Sequence, residues 1–253
     1  MPPAPDPLPT EVAAGVFRCG TTLVNWYLVA ADEGVTIVDA GLAGYRAQLP
    51  AAVEGIGRTL DDVRAIVLTH AHLDHIGFAE WWRRRLDIPV YVHADDEEAA
   101  RTGRRQRPDE PVPMLPYLRY RGLYRLLAHF VRYGARITPV QQLRTYADGD
   151  ALDVPGRPRV IHTPGHTRGH SALYFEHHGT LMVGDAFCTY NPVTGGLGPQ
   201  LLPRAFNVKT TRALASLGRL RGSAASVALC GHGDPWTATV GAAVSEVERR
   251  RPV

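Results

Sequence analysis

Short apolar runs, each closed by glycine or an acidic turn, set the rhythm of the first third of the chain. Gly15 to Arg18, Val24 to Val29 and Val35 to Asp39 are rich in valine, isoleucine and aromatic residues, which predicts three short strands paired as a meander. Ala47 to Ile56 has helical composition and stops at Gly57. Val63 to Leu68 is a nearly continuous apolar run, the pattern of a strand buried on both faces. Ile76 to Leu86, with Trp81 and Trp82, predicts a helix, and Pro89 to Val92 a further strand.

Between 94 and 135 this alternation gives way to helical composition broken by Pro108, Pro111, Pro113 and Pro116, so two helices joined by an irregular loop are expected. Tyr117, Tyr120, Tyr124, Leu127 and Val131 recur at spacings of three and four, an apolar stripe for the second helix. The second half returns to short strands, at Arg159 to Thr163, Ser171 to Phe175, Thr180 to Val183 and Ser226 to Leu229, with helices expected at Val208 to Leu220 and Val240 to Arg250. Strands and helices in both halves predict an α/β chain built as a four-layer αββα sandwich, a single domain over 1–253 with a helical insertion at 94–136.

Composition narrows the function. A 45% apolar content over 253 residues is ample for a core. The formal charge of +3 is too small to imply nucleic acid as a partner. Its distribution is uneven: Arg101 to Arg136 holds nine arginines, no lysine and two acids, Asp109 and Glu110, a local +7 that leaves −4 for the remainder. No apolar run is long enough to cross a bilayer, and the proline-rich stretch Met1 to Pro9 lacks the regions of a secretory signal. Cys19, Cys188 and Cys230 form no CxxC pair, and their odd number fits reduced, buried thiols in a cytoplasmic protein.

The chemistry concentrates in Thr69-His70-Ala71-His72-Leu73-Asp74-His75, directly behind a predicted strand. Three imidazoles and a carboxylate in six positions are costly to bury unless a cation accepts their lone pairs. Thr163-Pro164-Gly165-His166-Thr167-Arg168-Gly169-His170, Gly184-Asp185 and Gly231-His232-Gly233 follow other predicted strands in the same way. So many histidine and aspartate donors exceed one tetrahedral ion, and two divalent ions account for them more simply, zinc first, with iron or manganese also compatible. His93, His129, His162, His177 and His178 stand alone and are read as hydrogen-bonded structural residues.

His70-x-His72-x-Asp74-His75, Pro164-Gly165-His166-Thr167-x-Gly169-His170, Gly184-Asp185 and Gly231-His232 resemble, in order and placement, the five-motif pattern of metallo-β-lactamase-fold hydrolases, in their glyoxalase II-like and lactonase-like branch. The resemblance spans roughly Gly15 to the C-terminus. It implies the same αββα fold, with His70, His72 and His166 on one metal, Asp74, His75 and His232 on the other, and Asp185 between them. It also implies that Asp39, in Val38-Asp39-Ala40-Gly41, supports a ligand without being one, where the bare sequence also allows a carboxylate capping a turn. His170 matches a position kept beside the site without ligating.

The expected activity is hydrolysis of an ester, lactone or thioester by a hydroxide bridging the two metals, with Asp74 orienting or shuttling a proton. Asp185 stands where β-lactam-cleaving relatives use cysteine or lack an acidic bridge, which argues against β-lactams. The lactonase tyrosine falls three residues beyond the bridging aspartate, where this chain has Cys188, and Tyr190 lies five beyond; the tyrosine is therefore not transferred. The chain ends too soon after His232 for the glutathione-binding helices of glyoxalase II. The 94–136 segment is expected to select a small substrate, acyl or aromatic with a carboxylate or phosphate for an arginine, or else to pack on the sandwich or a membrane surface. Two alternatives stay open: a persulfide dioxygenase with one iron, and an RNA phosphodiesterase.

Overall fold

A computed structural model describes residues 9–250. The stretch Met1 to Pro9 lies outside the described residues except for Pro9. The chain builds β1 (Thr10–Ala13), β2 (Val16–Thr21), β3 (Val24–Ala31), β4 (Gly34–Val38), α1 (Leu49–Gly55), β5 (Val63–Val67), α2 (Leu73–Ile76), α3 (Ala79–Leu86), β6 (Val90–His93), α4 (Glu97–Thr102), α5 (Arg121–Tyr133) and β7 (Arg144–Tyr146). It continues with β8 (Arg159–His162), β9 (Ser171–Phe175), β10 (Thr180–Gly184), β11 (Cys188–Tyr190), β12 (Leu197–Gln200), α6 (Thr210–Ser216), β13 (Val227–Cys230) and α7 (Val240–Arg249).

One sheet runs in the order β1-β2-β3-β4-β5-β6-β7, a second in the order β13-β10-β9-β8, and β11 and β12 form a separate hairpin. β2, β3 and β4 are the expected meander, extended by an unexpected β1, and all four are antiparallel because tight turns join them. From β4 to β7 the pairing is parallel, as it must be once each return passes through a crossover with helices.

The period-2 alternation of the strands separates the layers. In β3, Tyr27 and Val29 face the second sheet, while Trp26 and Leu28 face the helices. In β5, Ala65 and Val67 point inward, and Ile66 points to the helix side. The second sheet mirrors this: Leu173, Phe175, Met182, Val227 and Leu229 enter the space between sheets, and Ala172, Leu181, Val183 and Ala228 meet α6 and α7 through Ala213, Val244 and Val247. Helix, sheet, sheet and helix stack as four layers, the αββα sandwich that the hydrophobic pattern predicts.

Several boundaries differ from the sequence pattern for identifiable reasons. The helix expected from Ile76 is divided into α2 and α3, because the N–H groups of Gly77 and Phe78 donate to the carbonyls of Gly41 (2.9 Å) and Ala40 (3.0 Å). The two segments are that close only because residue 77 lacks a side chain; a Cβ there would lie 2.4 Å from the Gly41 oxygen. The short strands β1, β7, β11 and β12 leave little periodic signal: β7 has three residues, two of them exposed, and β12 contains Gly198 and Pro199. The helix expected over 208–220 is α6 followed by a tighter turn at Leu217–Arg219.

The segment 94–136 holds α4, a 3-10 turn at Leu115–Arg119 and α5, with Pro108, Pro111 and Pro113 in the loop between. Ala99 and Ala100 of α4 join the main helix-side core. The expected stripe of α5 is displaced by one position. Leu123 and Leu126 turn inward, with Phe130 packed beside them, against Tyr117, Val193 and Ala205, whereas Tyr124, Leu127 and Val131 face solvent. The helix carries two adjacent apolar stripes, and only the one nearer the sandwich is covered.

Candidate metal centre

β4 and β5 run parallel, as do β10 and β13, and the loops after their C-terminal ends supply Asp39, the His70 cluster, Asp185 and His232. Strand ends are suited to this because the sheet fixes where the chain emerges while the loop remains free to turn. Asp39 adopts a positive φ of 58°, which brings its carboxylate back over the β5 exit. There it accepts the Thr69 N–H at 2.7 Å, the Thr69 hydroxyl at 2.8 Å, and Nδ1 of His75 at 2.8 Å. Main-chain hydrogen bonds fix both ends of this contact, from Asp39 N to Val67 O of β5 and from Ser171 N of β9 to Thr69 O, each 2.9 Å.

All seven residues expected to bind metal converge. Oδ2 of Asp185 lies 3.2 Å from Nε2 of His232, 3.3 Å from His166, 3.6 Å from His75 and 3.9 Å from His70. Nδ1 of His72 faces Nε2 of His166 at 2.8 Å, and Asp74 Oδ2 is 3.7 Å from Nε2 of His232. Donor atoms within 4.8 Å of one another form three sets suited to an ion: His70, His72 and His166; His70, His75 and Asp185; and Asp74, His75 and His232. The approach of the His232 loop depends on Gly231, where a Cβ would sit 2.3 Å from Asp185 Oδ1 and 2.5 Å from the His75 ring.

Hydrogen bonds on the far side of each ring decide which nitrogen points inward. His75 Nδ1 is committed to Asp39, His166 Nδ1 to Asn207 Oδ1 at 2.9 Å, and His232 Nδ1 to the Leu23 carbonyl, leaving each Nε2 toward Asp185. Nε2 of His70 and His75 and Oδ1 of Asp185 are buried without a hydrogen-bond partner, as is Nε2 of His72, whose Nδ1 faces His166. Orphaned lone pairs on four converging groups are what a cation would satisfy, so the donor set fits divalent metal.

Charge in the cluster is strongly organised. Burial holds His70, His72 and His166 below the ordinary imidazole range, and neighbouring imidazoles add to the effect at His70 and His72. Neutral imidazole is the ligand form. Against the same cost of burial, Asp39 and Asp185 raise His75, and Asp185 with Asp74 raises His232. Burial opposes ionisation of Asp185, but His232 and His75 outweigh it and hold the carboxyl well below its usual range.

His170 is different. Burial lowers it to about 3, its Nδ1 meets the Thr163 hydroxyl at 2.9 Å, and its Nε2 accepts the Asp185 N–H at 2.9 Å. Both nitrogens are engaged within the protein, one of them by the main chain of Asp185. Asp39 is likewise engaged, by Thr69 and His75.

Two supporting residues escaped the sequence reading. Buried Asp96, just after β6, accepts four hydrogen bonds: from Ala71 N (3.0 Å) and Thr167 Oγ1 (2.7 Å) at one oxygen, and from Gly169 N (2.7 Å) and Gln106 Nε2 (2.8 Å) at the other. It ties the His70–His75 loop to the His166–His170 loop. Its one sequence signal is an acidic pair at a strand end, His93-Ala94-Asp95-Asp96. Asn207, which holds His166, stands alone between two loops and has no such signal.

The remaining histidines are mostly engaged structurally. His129 meets the Tyr45 hydroxyl at 2.6 Å, and His178 the Ala14 carbonyl at 2.8 Å. His93, Asp95 and His162 form another set of close donors, but the two rings stack in parallel at 4.1 Å and 12°, and each already engages a main-chain group. Parallel rings do not aim their in-plane lone pairs at one point. The three cysteines are buried and unpaired in disulfides.

Above the cluster opens a cleft. His72, Asp74, His166, Asp185 and His232 form its floor, and Leu126, Phe130, Ile137, Val193, Leu202 and Phe206 its walls, with Arg105 among them. Tyr190 is not part of its lining. No helix among the described residues is long and apolar enough to cross a membrane.

Residues 19–232 match the sequence pattern of the metallo-beta-lactamase superfamily. A probable metallo-hydrolase of Bacillus subtilis strain 168, YflN, is 30% identical over 240 residues, covering 90% of this chain and 87% of the relative. Another from the same organism, YybB, is 29% identical over 187 residues, 71% of this chain and 72% of its own. Among solved structures, the metallo-beta-lactamase family protein TTHA1429 from Thermus thermophilus superposes with a TM-score of 0.65 at 29% identity, covering 93% of this chain and 79% of that one. The metallo-beta-lactamase SMB-1 reaches a TM-score of 0.71 at 17% identity, over 98% and 95% of the two chains, a likeness of fold.

Proposed function

The chain belongs to the metallo-beta-lactamase superfamily and is a metal-dependent hydrolase, and from that premise we propose that it cleaves an ester, lactone or thioester at a centre of two divalent ions. We assign His70, His72 and His166 to one ion, Asp74, His75 and His232 to the other, and Asp185 to both. The observation that carries this reading is the position of Asp185 Oδ2, within 3.2 to 3.9 Å of imidazole nitrogens from both sets. Mixed imidazole and carboxylate donors suit zinc best, with iron or manganese next. Ions held by these residues would supply Lewis acidity, which would make bound water acidic enough to ionise near neutral pH and would favour charge building on the carbonyl oxygen.

The protein's own residues supply the rest. Asp74 lines the cleft beside His232 and is the group we assign to take a proton from the attacking water and return it to the leaving oxygen or sulfur. The water oxygen adds to the carbonyl carbon, the bond to the leaving group breaks, and acid and alcohol or thiol result. Asp39, His170 and Asn207 keep the ligands oriented, so little reorganisation is needed at the moment of reaction. A cysteine nucleophile has no support, since burial raises the Cys188 and Cys230 thiols far from thiolate formation. The apolar walls suit an acyl or aromatic group.

The test is a panel of aryl esters, lactones, thioesters and phosphodiesters offered to the metal-loaded protein and to Asp185→Asn. We expect turnover in at least one carboxylic class, and a loss of about a thousandfold in the variant, the scale of removing a principal electrostatic contribution. Turnover confined to phosphodiesters, or an Asp185→Asn protein of full activity, would contradict the reading.

A further inference from the structure

The nine arginines between Arg101 and Arg136 are not equivalent: among the described residues, Arg105 is the one that lines the cleft. It leaves the loop after α4, and although much of the residue is exposed, its guanidinium end is drawn inward. There Nη2 donates to the Ala205 carbonyl at 2.8 Å, and the guanidinium carbon lies 5.9 Å from the Phe206 ring centre. Arg101 pairs with Glu97 at 2.8 Å and Arg168 with Asp109 at 2.7 Å, and neither lines the cleft. Arg105 makes no ion pair among the described residues, and it lines a cleft whose walls are otherwise apolar. Burial lowers its pKa, with Asp74 acting in the opposite direction.

A guanidinium held at one corner by a main-chain carbonyl keeps a planar fork of donors ready for two parallel hydrogen bonds. With no carboxylate partner of its own among the described residues, that fork is free to pair with an anion on a bound molecule. We propose that Arg105 is the anchor for a terminal oxyanion, carboxylate or phosphate in type, on the substrate, so that the enzyme prefers acyl groups that are apolar along their length and anionic at the far end. This rests on the carboxylic hydrolase reading above and names its substrate class. The local +7 charge of 101–136 would also draw such substrates toward the cleft.

Matched aryl esters test it: a hexanoate, an adipate monoester and a chain of similar length ended by phosphonate, each with wild type, Arg105→Gln and Arg105→Lys. The ratio of kcat/KM for an anionic ester to that for hexanoate should fall about 10- to 100-fold in Arg105→Gln, through KM, the scale of a lost charge-assisted hydrogen-bond pair. Arg105→Lys should recover only part of it, since a point charge lacks the fork. Whichever anionic ester loses more identifies the oxyanion. Equal losses for all three esters, carried by kcat, would overturn the proposal and make Arg105 a group acting on the reacting carbonyl. If no ester is turned over, the hydrolase reading fails, and calorimetry with adipate and phosphonate still decides: binding by wild type that Arg105→Gln abolishes upholds the anchor, while equal binding or none overturns it.

Discussion

Single side chains do two separable jobs at this centre: some offer a lone pair inward, and others fix the direction in which it is offered. Asp96 shows the second kind in its purest form, with four donated hydrogen bonds and no contact to the convergence point. Burial pushes its carboxyl above the ordinary range, and the four donors work against that. Asp96→Asn replaces one acceptor oxygen by an N–H₂ that faces other donors. We expect it to destabilise the protein by about 1–3 kcal/mol, the cost of unpaired buried donors. It should also weaken metal binding about 10- to 100-fold, as loss of a ligand-orienting partner does. Denaturant unfolding and competition with a chromophoric chelator measure the two. The inward donors were legible in the sequence because histidine and aspartate crowd together there. Asp96 and Asn207 were not, because their role comes from a contact between loops about 70 and 40 residues apart in the chain, which no local pattern encodes.

At the scale of elements, periodicity identified α5 but not its orientation. Leu126 is 4% exposed and Leu127 49%, although the two are adjacent and identical in type. A helix with two neighbouring apolar stripes has two ways to dock, and the choice was made by Val193 and Ala205, far along the sequence. Leu126→Ala should therefore cost about 2–3 kcal/mol through the cavity it leaves, and Leu127→Ala less than about 1 kcal/mol. Matched denaturation curves of the two variants check this; equal costs would mean that the outward stripe is covered as well. The division between α2 and α3 was hidden for a related reason, since hydrogen bonds from Gly77 and Phe78 to the 40–41 turn override helix propensity over a single turn.

For the whole molecule, the four layers follow from central strands that bury both faces, and their short apolar runs are plain in the sequence. The strand-end loops carry the chemistry because two pairs of parallel strands release them side by side. Strand order and the convergence of remote loops are global properties, so the sequence showed them only through resemblance to a family, while the structure derives them from pairing. The central claim is that the convergence holds two ions with Asp185 between them. The most direct test is elemental analysis of the purified protein, joined to a metal titration of chelator-treated protein followed by mass spectrometry under native conditions. The account predicts two divalent ions per chain, with zinc the leading metal. Saturation at one redox-active iron per chain, accompanied by oxygen uptake, would contradict it.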